Sequence, residues 1–289
     1  MRGPYDGHWQ LTSVDTLLVA YDSLKLTQTV WDQEFNGYNK YCPLCTGSSY
    51  WRAPAGCVPV AGAQMLFYLH NKLGTPAFAP DTAMCIGHVG FGNYIQATGG
   101  SSSTTWNYML DNDYNDKGYR SAAVLIADVG KKVGVTYGDD GSGASLSNLV
   151  SVFAQYGIDC TFSTFGTTSN FIIKQNLLAE MPVVMRAKPS ANASVGHAFL
   201  IDGYSRSRYQ YTFSYEWVYS HPSTTILFPI GERMTTVSYS TPEITEFSMN
   251  WGSLLVDNSA FFQINGEWNF NTYNYIYDRA FIHSFLIAN

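Results

Sequence analysis

The hydrophobic period of this chain changes once, near Val183, and that change limits the folds open to it. Before it, apolar residues recur at helical spacing in segments starting at Cys57, at 119–133, at 146–156 and at 171–180. After it, short alternating runs separated by turn residues occupy 183–187, 197–203, 208–218, 224–229, 234–239, 245–250, 259–264 and 275–286. Helices first and antiparallel strands afterwards is the α+β pattern: a helical lobe facing a sheet lobe, with a cleft between them. At 289 residues, 46% of them hydrophobic, the chain can bury the core of one two-lobed unit. Residues 1–26 are expected to be an N-terminal arm or the remnant of a longer segment, about 27–180 the helical lobe, and about 181–289 the sheet lobe.

The first helix opens on a cysteine. In Gly56-Cys57-Val58-Pro59-Val60-Ala61-Gly62-Ala63-Gln64-Met65-Leu66-Phe67-Tyr68-Leu69-His70, residues Val58, Ala61, Met65, Leu66 and Leu69 share one inward face. Pro59 fits only the first turn, which sets the start close to Cys57, and Gly74 and Pro76 mark the end. A thiol at a helix N-terminus is easier to ionise, and Gly56 leaves room beside the sulfur. A buried cysteine is as readily an inert apolar filler, so a partner has to decide.

Composition removes several functions. Only 13% of residues are charged and the net charge is -6, without the basic stripe that nucleic-acid binding requires. No apolar run reaches membrane-spanning length, and Met1 to His8 lacks a signal core. The many Ser, Thr, Asn, Tyr and Gly residues and the low lysine count lean toward an exported protein whose signal has been removed. Five cysteines, at 42, 45, 57, 85 and 160, allow two bridges and one free thiol; with Cys57 free, three pairings of the rest remain. Cys42-Pro43-Leu44-Cys45 has no second ligand pair at zinc spacing and reads as a loop pair, so neither metal nor cofactor is expected. The glycine loop 137–144 lacks the lysine of a phosphate loop and reads as a cleft lining.

Among six histidines, His197 alone opens a strand behind a small residue, Gly196, where an imidazole at a strand edge can take a proton from sulfur. Asp202 is excluded as its orienting partner, because residues five apart on a strand face opposite sides. Asn250, at the end of Phe247-Ser248-Met249-Asn250-Trp251-Gly252, is expected to accept from the imidazole, with the Trp251 indole shielding the bond.

With cysteine, histidine and asparagine in that order, the chain resembles the streptopain family of bacterial cysteine peptidases, which have a papain-like fold and are secreted as zymogens. The matching pieces are Trp31-Asp32-Gln33 with Tyr38-Asn39 and Cys42-Pro43; Gly56-Cys57-Val58 with Ala63-Gln64; Tyr137-Gly138 with Ser142-Gly143-Ala144; Pro182-Val183; Gly196-His197-Ala198-Phe199 with Ile201-Asp202-Gly203; and Asn250-Trp251-Gly252. The resemblance implies Cys57 as nucleophile, His197 as general base and acid, and Asn250 with Trp251 supporting the imidazole. It also implies Gln33 as a side-chain oxyanion donor beside the Cys57 N–H, and Gly196, Ser142 and Gly143 as the substrate pocket. Its implied partners are protein or peptide substrates and a pro-segment or protein inhibitor, in a secreted, cell-surface or periplasmic bacterial protein.

Three departures stand out. Ser253 to Asp257 replaces the second tryptophan and glycines usual after Asn-Trp-Gly in the family. His197 and Asn250 are 250 minus 197, or 53, positions apart, more than the family uses, and the excess reads as a hairpin at about 205–245. No inhibitory pro-segment of the family's kind is read upstream, so a mature form, a trimmed chain or a differently regulated protein is expected. A non-catalytic binding module on the same frame, or an amidase or acyl transferase using the same cysteine and histidine, are the competing functions.

Overall fold

The computed structural model describes residues 7–76, 84–90, 93–95, 106–109, 116–221, 224–254 and 260–288. Its helices are α1 (Cys57–Leu73), α2 (Asp116–Val133), α3 (Asn148–Gln155) and α4 (Ser169–Leu178). Its strands are β1 (Gly7–Lys25), β2 (Met84–Ile86), β3 (Asn93–Ile95), β4 (Ile158–Thr164), β5 (Val183–Lys188), β6 (His197–His221), β7 (Thr224–Tyr239), β8 (Glu243–Asn250), β9 (Phe261–Gln263), β10 (Asn269–Phe270), β11 (Tyr273–Asn274) and β12 (Tyr277–Ile287). The chain divides into two compact units, Leu24–Tyr204 with Glu246–Asn289, and Met1–Ser23 with Ser205–Thr245.

The larger unit is α+β. Its sheet runs β4-β12-β5-β6-β8-β9, and the register of β5 on β6 is antiparallel from Val183↔Ile201 to Ala187↔His197. Helices α1, α2 and α3 close one apolar core with Val184, Ala198, Leu200, Ile282 and Phe285 of the sheet. From Val58 to Phe67 every residue of α1 is buried, so the helix is enclosed and not merely amphipathic as its spacing suggests. It ends where expected, on Gly74 in the left-handed region, whose N–H returns to His70 O at 2.8 Å. Ser145, whose residue type and place predict an N-cap, does not cap α3 with its hydroxyl; its carbonyl accepts the Asn148 N–H in a tight turn instead, and the helix starts at Asn148, two residues later than expected.

The expected strands 197–203 and 208–218 are one strand, β6, and 224–229 and 234–239 are one strand, β7. Among the other departures, which include the short pair β2 and β3, two bear on the main sheet. Ile158–Thr164, inside the stretch assigned to the helical lobe, is a strand that pairs with β12, with Ile282 opposite Phe162. Gly7–Lys25, read as an aperiodic arm, is also a strand, and its partner is β6. Both pairings join residues far apart in sequence, which local periodicity does not report. The run Gly99-Gly100-Ser101-Ser102-Ser103, whose composition predicts a turn, lies outside the described residues.

The smaller unit is a ribbon in which β6 is paired on both sides, by β1 and by β7. The β6–β7 hairpin runs from Gln210↔Tyr239 to His221↔Thr224. Thr12 Oγ1 donates to Ser214 O at 3.0 Å, Trp9 meets Trp217 edge-on at 5.3 Å, and the Arg206 guanidinium forks onto the Asp22 carboxylate.

Candidate active site

The site is built from the first residue of α1 and the first residue of β6. Cys57 is half-buried, and Gly56 before it offers no side-chain cap, so the first-turn N–H groups are left to the sulfur: the Val58 N–H bonds it. His197, opposite Ala187 in the interior of the sheet, is 6% exposed. Its Nε2 lies 2.7 Å from Trp251 O. A carbonyl only accepts, so Nε2 carries the proton, and the ring nitrogen left to the thiol is Nδ1.

The thiol and the imidazole are hydrogen-bonded to each other, and each shifts the other's ionisation. Burial pushes the Cys57 thiol up, but the His197 hydrogen bond and charge, with the N–H groups of Ala198 and Val58, outweigh it and bring the thiol below its ordinary value. Burial pulls His197 down; the sulfur and the Trp251 carbonyl outweigh it and raise the imidazole. The two shifts favour one state, thiolate beside imidazolium.

Aromatic rings wall that pair. Phe270 stacks on the imidazole at 4.6 Å and 14°, Trp251 and Tyr275 stand at 5.9 and 5.8 Å, and Phe199 backs Trp251 at 4.3 Å. Burial raises the Tyr275 phenol, and the Cys57 charge adds to it. Phe270 and Tyr275 were invisible to the sequence reading, because they follow the altered loop at no diagnostic spacing.

Asn250 is placed differently from the expectation. Its Nδ2 donates to Thr29 O at 2.6 Å and Gln64 Oε1 at 3.0 Å, and its Oδ1 accepts the Gly252 N–H at 3.1 Å. The amide is thus engaged within the chain, and the imidazole's acceptor is the next residue's backbone carbonyl. Alternation along a strand explains this, since the fully buried Asn250 faces away from its neighbour Trp251, whose ring is the one beside His197. Asp202, excluded from the sequence, is fully buried and accepts from Thr27 Oγ1 and, at 2.8 Å, from Ser248 Oγ.

Gln33 stands in a turn held by its neighbour. Asp32 Oδ1 accepts the Glu34 and Phe35 N–H groups at 2.8 and 2.9 Å, and its Oδ2 accepts the Leu254 N–H at 2.8 Å. The Gln33 carbonyl takes the Ala55 N–H at 2.8 Å, two residues before Cys57, which brings this turn to the start of α1. The Ser142 carbonyl lies 3.0 Å from where a Cβ on Gly56 would stand, so the glycine loop borders the cysteine. Thr136 and Gly143 close that loop with two backbone bonds, and Asp139 Oδ1 holds the Thr46 N–H. Gly196 touches Ala187: a Cβ there would be 2.6 Å from the Ala187 carbonyl. Cys45, Cys57 and Cys160 carry free thiols, and no cluster of three metal-ligating side chains occurs among the described residues.

The model of the peptidase C10 family matches residues 31–218. Eleven solved chains match the fold; one is a fragment of prointerpain A from Prevotella intermedia, 19% identical, with a TM-score of 0.52 over 93% of this chain and 76% of that one. At that identity the likeness speaks for the fold. No curated protein sequence matches the chain.

Proposed function

The chain belongs to the peptidase C10 family, which makes it a cysteine peptidase, and from that premise we propose that it cuts proteins internally through a thioester on Cys57. The observation that carries this reading is the bond between the Cys57 thiol and a His197 ring whose other nitrogen is already committed to Trp251 O. Sulfur attacks the scissile carbonyl and the C=O π electrons move onto oxygen. Gln33 Nε2 and the Cys57 N–H stabilise the oxyanion. As the C–N bond breaks, the imidazolium gives its proton to the leaving amine. Water then attacks the thioester, loses a proton to His197, and the sulfur leaves as thiolate.

Trp251 serves this cycle twice, holding the imidazole with its carbonyl and keeping water from it with its indole; Asn250 serves it indirectly, through the turn it makes. Gly196 on one side and Ser142 with Gly143 on the other border the groove for the substrate side chain that precedes the scissile residue. The partners are protein or peptide substrates and an inhibitory pro-segment or protein inhibitor. Export from a bacterial cell fits the family, and no described helix is long and apolar enough to cross a membrane.

The test is mass spectrometry after exposure to a peptide chloromethyl ketone, with casein turnover measured alongside. Single labelling at Cys57, loss of turnover on labelling, and an inactive Cys57→Ala variant are expected. Turnover that survives Cys57→Ala would overturn the assignment.

A further inference from the structure

Gln64 is a polar side chain in the middle of the enclosed segment of α1, with no exposed surface. A buried amide costs stability unless it holds something, so its partner is informative. Seven residues after Cys57 is two helical turns, which puts Gln64 on the same side of α1 as the sulfur. Its Oε1 accepts Asn250 Nδ2 at 3.0 Å. Asn250 in turn accepts the Gly252 N–H, an Asx turn that sets the peptide between them, and that peptide's Trp251 carbonyl takes the His197 Nε2–H at 2.7 Å. The turn also rests directly on the helix. Gly252 has φ +64, and a Cβ on it would stand 3.0 Å from Val60 Cγ1 and 3.7 Å from Gln64 Nε2.

We infer that Gln64 is a positioning residue for His197: through Asn250 it fastens the turn that carries the imidazole's acceptor to the helix that carries Cys57. One helix then sets both halves of the pair, the sulfur from its first residue and the ring from two turns further on. This rests on the reading of Cys57 and His197 as the catalytic pair. Gln64 Nε2 donates to no described residue, so the oxygen carries the link. Gln64→Glu keeps an acceptor at the same reach, and Gln64→Met removes it at similar length. Among the described residues, the titratable groups facing the pair are its own two members and Tyr275, and Trp251, Phe199 and Phe270 wall it without charge.

The experiment is the rate of Cys57 alkylation by iodoacetamide against pH, read by mass spectrometry, with casein turnover in parallel. In the parent chain reactivity begins below the range of an ordinary thiol, whose midpoint is near pH 8.5. Gln64→Met is expected to move that limb upward and to lower turnover about tenfold to a hundredfold, the loss typical for outer partners of a metal-ligating histidine. Gln64→Glu is expected to keep the parent limb. A Gln64→Met limb and turnover equal to the parent's would overturn the inference, and so would an equal upward shift in both variants, which would trace the effect to packing. If Gln64→Met does not fold, Gln64→Glu decides alone: an unmoved limb supports the link and a raised one removes it. A parent Cys57 that alkylates as an ordinary thiol would instead overturn the catalytic pair itself.

Discussion

Two opposed effects act on the Cys57 sulfur, and the balance decides what the residue can do. Burial by itself would leave an inert thiol; the imidazole and two backbone N–H groups reverse the sign. An ion pair formed this way attacks a carbonyl without waiting for a base, but it contributes nothing to the oxygen that becomes charged. The donor proposed for that oxygen is Gln33, whose turn is fixed by three N–H groups on Asp32 and by the bond from Ala55. Gln33→Ala is therefore expected to lower kcat on the order of a hundredfold to a thousandfold. Alkylation of Cys57 should stay at the parent rate, because alkylation builds no oxyanion. Full activity in Gln33→Ala would remove it from the site. Cys57 and His197 were legible in the sequence for a local reason, each opening an element behind a glycine. Gln33 enters only by resemblance, since nothing in its local sequence marks it. Asn250 was misread by one residue, because a backbone acceptor leaves no trace in residue type; Gln64 left a faint one, a lone amide in an apolar helix.

At the level of elements, the precision of the site comes from β5 and β6. His197 is the last paired residue of their ladder, so its Cα is held by a sheet buried on both sides and not by a loop. Gly196, just outside the ladder, is pressed against the Ala187 carbonyl. A side chain at 196 must push the two strands apart at the point where the histidine begins. Gly196→Val is expected to lose about 1–3 kcal/mol, the usual cost of overpacking, seen as a melting temperature lower by several degrees. It should also slow turnover, since His197 moves with the strand. An unchanged melting curve with full turnover would mean that the contact is slack. Elements with their own periodicity, such as α1 and β5, were readable from sequence. β1 and β4 were not, because the partner that makes each a strand lies far along the chain, in β6 and in β12.

For the whole molecule, the division into two units separates chemistry from extension. Cys57, His197, Gln33, Gln64, Asn250, Trp251, Phe270 and Tyr275 all belong to the larger unit, and among the described residues its main apolar cluster takes no member from 7–23 or 205–245. The ribbon leaves and re-enters through β6 and β8, which are neighbours in the sheet, so the ends left by its removal are Tyr204 and Glu246 on adjacent strands. Strands so placed can be joined by a short turn, and a unit with its own core can fold without an insertion of this kind. A chain beginning at Leu24, with Tyr204 joined to Glu246 by a glycine-rich linker, is expected to fold and to show the parent pH dependence of Cys57 alkylation. Casein turnover in the same chain then asks what the ribbon does, since a substrate contact on it would lower turnover and leave the thiol untouched. A shortened chain that folds but has an ordinary thiol at Cys57 would place part of the site's support in the ribbon, against the division drawn from the core.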